Sequence, residues 1–142
     1  MIASALPLLF IVAAIVVLGV TGNLLSASPF AIAAQVAAVA LNVWARISFQ
    51  KGTFRVTAAP GGSSIINRGP YRFIRHPMYA AALLFIWAAA ASHVSALTMA
   101  IGMAATILTI VRVIVEERLL RATYPEYLDY SQSTKALIPY LF

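Results

Sequence analysis

The stretch Asn67–Phe85, NRGPYRFIRHPMYAAALLF, sets Arg68, Arg72, Arg75 and the His76–Pro77 pair directly against an apolar run with no polar buffer. Charge beside so much hydrocarbon is costly, because an ionised side chain loses hydration as it leaves water. The rest of the chain decides how to read it. Of the 142 residues, 62% are hydrophobic and 10% charged, and the mean hydropathy is +0.90. A soluble domain of this length lacks the polar residues to cover such a surface, so the solvent implied is a bilayer. The length suggests a single domain, 1–142.

Four apolar runs are spaced along the chain at about 6–26, 29–49, 77–92 and 94–122. The first holds no charge and, at ~1.5 Å per residue, can cross a hydrocarbon core of about 30 Å. A cleaved signal peptide is a rival reading, given the small residues around Ser26–Ser28. No Lys or Arg precedes the run, and further spans follow, which favours a membrane helix. Pro29 opens the second run, where a missing N–H does little harm. Gln35 and Asn42 share a face of that run, and Arg46 and Lys51 mark its exit into water. Ala59–Ser64, APGGSS, reads as a turn within the loop between the second and third runs. The third run is short, about 24 Å as a helix. His93 follows in a tight turn as a solvated residue, and the fourth run continues past the membrane, since nothing breaks it before Pro125. The tail, with its aromatic and amphiphilic character, suits the membrane interface.

The basic residues then set the topology. Arg46, Lys51, Arg55, Arg68, Arg72 and Arg75 lie between the second and third runs, and Arg112, Arg118, Arg121 and Lys135 at or beyond the end of the fourth. Four spans put both groups on one side, and the positive-inside rule makes that side cytoplasmic. The expected architecture is therefore all-α and integral to the membrane: four transmembrane helices, N-in/C-in, with a C-terminal extension on the cytoplasmic side. The net charge of +6 belongs to this pattern rather than to a nucleic-acid face. With no cysteine, two histidines and four acids, disulfides are excluded and no metal cage is expected.

Such a hairpin brings Arg75–Tyr79, RHPMY, where the third run enters the membrane, beside Glu116–Glu117, where the fourth leaves it. Taken singly, each piece has an ordinary explanation. Arginines anchor a helix end, Tyr71 and Tyr79 suit an interface, and Arg112 can pair with Glu116 one turn away. Gln35 and Asn42 more often bond a neighbouring helix than a ligand. Two adjacent acids at the hydrocarbon boundary are harder to dismiss, because burial disfavours their charge unless cations meet them.

The motifs here resemble a family. GPYRFIRHPMYAAALL (Gly69–Leu84) is similar to the signature G-P-Y-x-x-x-R-H-P-x-Y-x-G-x-x-L. EERLLRATYPEYLDY (Glu116–Tyr130) with Leu137–Pro139 is similar to the tail E-E-x-x-L…F/Y-x-x-Y-x-x-Y…L-x-P. Both belong to the isoprenylcysteine carboxyl methyltransferase-like family, related in its motifs to membrane phospholipid N-methyltransferases. The resemblance covers residues 67–142, which it marks as the cofactor-binding half. It implies an integral membrane enzyme that binds S-adenosylmethionine and releases S-adenosylhomocysteine. Tyr71, Arg75, His76, Pro77, Tyr79, Ala81, Glu116 and Glu117 would line that site, with His76 or Glu117 as the base for an acceptor that must lose a proton. His76–Pro77 at the start of the third run would leave N–H donors for the ligand. A lipophilic acceptor, carboxylate or amine, would enter from the bilayer, and Gln35, Asn42 and Arg46 would meet its head group. The implied location is a bacterial inner membrane, with the site facing the cytoplasm. Two positions depart from the pattern. Ala81 stands where the signature has Gly, and Ser133 stands where family tails often carry Arg or Lys, with Lys135 close by. The rival functions are a nicotinamide-dependent membrane reductase of the steroid-reductase type and a non-catalytic small membrane protein.

Overall fold

The structure, a computed structural model, describes residues 2–51 and 66–138, with side chains over 9–49 and 66–138. The Lys51 side chain, Arg55, the turn at Ala59–Ser64 and Pro139 lie outside the described residues. The described chain is all-helical: α1 (Ile2–Val20), α2 (Pro29–Lys51), a short 3₁₀ turn (Gly69–Arg72), α3 (Pro77–Ser92), α4 (Ala96–Thr123) and α5 (Tyr127–Ser133). Pro29–Phe49 and Ala96–Thr123 are long and apolar enough to cross a membrane, while Leu9–Val20 and Pro77–Ser92 are shorter apolar helices.

Local chemistry sets the helix boundaries. α1 stops at Val20, short of Ser26, because Gly22 takes a positive φ of 73°. There the Asn23 N–H donates to Leu18 O at 2.8 Å and the Gly22 N–H to Gly19 O at 3.1 Å, the paired closure of a Schellman C-cap. α4 begins at Ala96 rather than Val94 because Ser95 and Thr98 form a reciprocal capping box. α3 starts at Pro77, where proline costs no helical hydrogen bond.

α3 is the hub of the bundle, packing against α2, α4 and α1, while α1 also packs on α4. The helices meet through small residues. α2 buries Ala31, Ala38 and Ala45, α3 buries Ala81, Ala89 and Ala90, and α4 buries Ala105. A Cβ added to Gly102 of α4 would stand 3.3 Å from the Trp87 ring. Large apolar side chains instead face outward, among them Val36 and Val39 on α2 and Ile107 and Val115 on α4. Such a distribution suits lipid, where helices associate by close backbone approach and gain nothing from hiding leucine or valine.

Polar ties close the two ends differently. At the end opposite RHPMY, the Leu24 carbonyl accepts from Gln35 Nε2 at 2.6 Å, and a His93 ring nitrogen lies 2.9 Å from Leu25 O. His93 is thus a loop clamp and not simply a solvated residue. At the other end, the 3₁₀ turn is pressed onto α2 at Gly69, whose φ is +56°. A Cβ there would lie 2.1 Å from Ser48 Oγ and 3.0 Å from Trp44 Nε1. Gly69→Ala therefore combines a strained backbone with a clash. It should cost at least about 2 kcal/mol and lower the thermal unfolding midpoint in detergent; an unchanged midpoint would rule out this packing.

Candidate active site

The start of α3 and the end of α4 converge as the hairpin requires, and a third element joins them. Residues after α5 turn back along the segment that leads into α3. The Arg75 N–H donates to Lys135 O at 2.8 Å, the His76 N–H to Ala136 O at 3.0 Å, and the Lys135 N–H to Phe73 O at 3.1 Å. An isolated parallel bridge, Ile74 to Lys135, results. The backbone before α3 is thereby satisfied by the tail and not by the helix itself.

Glu117, on the buried face of α4, is the centre of the site. Its Oε1 accepts from Arg75 Nε at 2.6 Å and Tyr127 Oη at 2.9 Å, and lies 3.0 Å from His76 Nε2. Among the described residues its Oε2 meets only Arg121 Nη2, at 3.4 Å, and that arginine side chain is 52% exposed. Arg75 Nη1 also donates to the carbonyls of Ser131, at 2.9 Å, and Thr134. One guanidinium thus ties α4 and the tail to the entrance of α3. Such a charge-assisted fork is the usual way to make a buried carboxylate tolerable.

Glu116 anchors a neighbouring set of contacts. It pairs with Arg112 Nε at 2.7 Å and with Arg112 Nη2, and it accepts from Tyr79 Oη at 3.1 Å. Tyr79 Oη accepts in turn from Arg112 Nε at 3.1 Å, and the Tyr79 ring stacks on His76 with centroids 5.7 Å apart. His76 is consequently held between two acids, with Nδ1 3.6 Å from Glu116 and Nε2 on Glu117.

A cleft of about 460 Å³ opens beside Glu117. Arg75, Arg118, Arg121 and Lys135 supply its positive charge, Ser131 and Thr134 add polar groups, and Val113, Ile114 and Ala136 form its apolar part.

Of the residues singled out in the sequence, Arg75, His76, Tyr79, Glu116 and Glu117 come together, and Arg75 and Glu117 also line the cleft. Pro77 is buried as the first residue of α3, and Ala81 is buried further along the same helix; neither lines the cleft. Tyr71 contributes its carbonyl, which accepts from Tyr130 Oη at 2.7 Å. Free N–H donors were expected at the start of α3; there the Tyr79 and Ala80 N–H groups are bonded to His76 O. Gln35, Asn42 and Arg46 are not brought to the cleft. Gln35 ties the far loop, and Asn42 Oδ1 accepts from Arg46 Nε at 3.0 Å. Ser133, exposed, spends its hydroxyl on Tyr130 O, whereas Lys135 lines the cleft.

The roles of Tyr127 and Tyr130 were not foreseen, although their spacing of three puts both on one face of a short helix. Their rings meet edge to face at 5.7 Å. Burial pushes both phenols above the ordinary tyrosine range, helped in Tyr127 by its bond to Glu117. Burial raises Tyr71 as well.

The phospholipid methyltransferase family matches residues 30–127. The chain belongs to that family. It is also similar to the cobalt-zinc-cadmium resistance protein CzcN of Cupriavidus metallidurans, at 31% identity over 80 residues, covering 56% of this chain and 37% of CzcN. The chain thus spans little more than a third of that relative's length. No solved structure matches it. Glu117 and its partners Arg75, His76 and Tyr127 lie inside the matched region.

Two predictions follow from the geometry. Arg75→Ala would leave Glu117 without its shortest cationic partner and free the tail carbonyls, at a cost of about 3 kcal/mol. Trypsin should then cleave at Lys135 faster than in the unaltered protein; equal rates would show that Arg75 does not hold the tail. The tyrosines give a pH test. A phenol whose folded pKa is raised stabilises the fold below its unfolded pKa of about 10 and loses that contribution as pH rises through the folded value. Stability should therefore fall above pH ~10, and the fall should shrink in Tyr130→Phe. Ultraviolet titration of the folded protein should show these phenols ionising after the exposed ones.

Proposed function

We propose that this chain is a single membrane domain, residues 1–142, that transfers a methyl group from S-adenosylmethionine to a lipophilic acceptor. In this reading α1 to α4 all cross the bilayer, N-in/C-in, and the cleft beside Glu117 faces the cytoplasm of a bacterial cell. The four-span arrangement is supported by the outward-facing valines and isoleucines and by the basic residues gathered at one end.

The observation that carries the proposal is the asymmetry of Glu117. Oε1 is saturated by Arg75, His76 and Tyr127, while among the described residues Oε2 has only a long contact to the half-exposed Arg121, which lines the cleft with Glu117. A fixed carboxylate with one available oxygen suits the ammonium of a methionyl group. Arg118, Arg121 and Lys135 around the same cleft suit its carboxylate, and Val113, Ile114 and Ala136 suit the flat face of adenine. The donor set therefore fits S-adenosylmethionine, which supplies a methyl group already activated by its sulfonium charge.

The protein's own contribution is then mainly position. Arg75 and Tyr127 hold Glu117 still, and the strand-like pairing of the tail with residues 73–76 closes the cleft on one side. His76 and Glu117 were the candidate bases. With Nε2 and Oε1 bonded to each other, both act here as positioning groups, which favours an acceptor atom that arrives without a proton to lose.

Calorimetric titration of the detergent-solubilised protein with S-adenosylhomocysteine tests the reading directly. Binding should be seen, and Glu117→Gln should weaken it by about tenfold or more, the worth of one charge-assisted hydrogen bond. NADPH should give no heat of binding. Binding of NADPH instead would establish the reductase reading, and binding of neither would leave a non-catalytic membrane protein. Incubation of lipid extracts with isotope-labelled S-adenosylmethionine, followed by mass spectrometry, then identifies the acceptor.

A further inference from the structure

The cleft beside Glu117 holds more positive charge than its proposed cofactor can use. Arg75, Arg118, Arg121 and Lys135 line it against the single carboxylate of Glu117, a surplus of three. Glu116 offers no relief, because it is spent on Arg112 and Tyr79. The other two acids of the chain, Glu126 and Asp129, are exposed on the tail and line no part of the cleft. Among the described residues Arg118 and Lys135 pair with no carboxylate, and Arg121 has only its 3.4 Å contact to Glu117. S-adenosylmethionine makes the imbalance worse. Its ammonium and carboxylate cancel and its sulfonium leaves one net positive charge, whereas S-adenosylhomocysteine is neutral overall. A cleft of one sign of charge repels a ligand of that sign. Left alone, the site would favour the spent cofactor over the loaded one.

The surplus cations also stand at a definite level. Ile114, Arg118 and Arg121 follow one another along one side of α4 and rise about 10 Å in doing so. Ile114, Val115 and Leu119 are exposed apolar residues, and Leu128 and Ile138 of the tail are exposed as well. In a membrane, exposed hydrocarbon beside exposed guanidinium marks the boundary where lipid phosphates lie.

We propose that Arg118, Arg121 and Lys135 bind the phosphate of an anionic membrane lipid at the mouth of the cleft, where it serves as counter-ion to the cationic cofactor and is not itself methylated. Two guanidinium groups and an ammonium supply the donors that a phosphate diester needs, and all three side chains are exposed, so the lipid reaches them from its own leaflet. The counter-ion role rests on the methyl-transfer reading; the phosphate site rests on the unpaired cations. Arg68 and Arg72 provide the contrast. They are exposed just before α3 but line no part of the cleft, and suit a general attraction to the membrane surface.

Native mass spectrometry of the full chain, released from mixed phosphatidylcholine and phosphatidylglycerol nanodiscs, tests the site. The protein should retain one phosphatidylglycerol in preference to phosphatidylcholine. Arg118→Gln/Lys135→Gln should weaken that retention about tenfold or more, while Arg68→Gln/Arg72→Gln, with the same change of charge, should keep it. All four side chains are exposed, so the fold survives either change. Equal loss in the two variants would reduce the effect to a general surface attraction and overturn the site. Glycerophosphoglycerol, the soluble head group, should not displace the lipid; displacement at millimolar concentration would assign the cations to a free phosphate ester instead.

Calorimetry in nanodiscs tests the counter-ion role. A minor fraction of phosphatidylglycerol, too small to charge the whole surface, should raise the affinity for S-adenosylmethionine relative to S-adenosylhomocysteine about fivefold, the worth of one charge at a membrane surface. Arg118→Gln/Lys135→Gln should abolish the rise, and a rise that persists there would overturn the role. The retained lipid should also keep its mass after incubation with S-adenosylmethionine; a gained methyl group would make it the acceptor and overturn the role as well. Binding of neither cofactor form in any membrane, with selective lipid retention intact, would overturn the methyl-transfer reading and keep the phosphate site.

Discussion

The bond between Arg75 and Glu117 is the constraint on which the rest of the site depends. A carboxylate on the buried face of a membrane helix is unstable alone, and the helix has no spare donors to offer it. Its partner comes from the other arm of the hairpin, so the charge fixes how the start of α3 meets the end of α4. Because Arg75 also binds the Ser131 and Thr134 carbonyls, the same guanidinium decides where the tail lies. Helix register and tail position are therefore set by one cation. Apolar packing in lipid, which is weakly directional, could not set them as well.

This explains why polar residues abut the apolar run at NRGPYRFIRHPMYAAALLF. The four polar participants play different parts. Arg68 and Arg72 are exposed and suit anchoring at the interface, whereas Arg75 and His76 turn inward to Glu117. Proline at 77 makes that division possible. It begins α3 without needing an acceptor, so the backbone of Arg75 and His76 is left to pair with Lys135 and Ala136. A helix that began one turn earlier would turn those N–H groups along its own axis and away from the tail.

Much of this was legible in the sequence. Membrane helices show as apolar runs, and α3 begins and ends at the expected residues because Pro77 and the Ser92–His93 turn are local signals. α1 was expected to run too far because apolar composition continues through Leu24 and Leu25, while its stop depends on one glycine with positive φ. The meeting of RHPMY with EE followed from hairpin topology. The family resemblance implies that the tail encloses the site, but which of its residues make the contacts could not be read. Tyr127, Tyr130 and Thr134 reach the site through a reversal of the tail, and the contact joining them is between sequence positions some sixty apart. Gln35 illustrates the opposite error. It shares a face with Asn42, yet periodicity does not say which end of a helix a polar side chain serves, and here it serves the far loop.

The two substitutions against the family pattern take on a physical meaning once the site is assembled. Ala81 is buried in α3 and lies apart from the cleft, so its methyl is a matter of helix packing. Ser133 removes a tail cation, but the tail does not lose its charge, because Lys135 lines the cleft two residues on. The larger redistribution is on α4. Arg112 neutralises Glu116 with two of its nitrogens and keeps the third buried and undirected. Arg112 is thereby tied to Glu116 and Tyr79 inside the hairpin, and the positive charge of the cleft comes instead from Arg75, Arg118, Arg121 and Lys135.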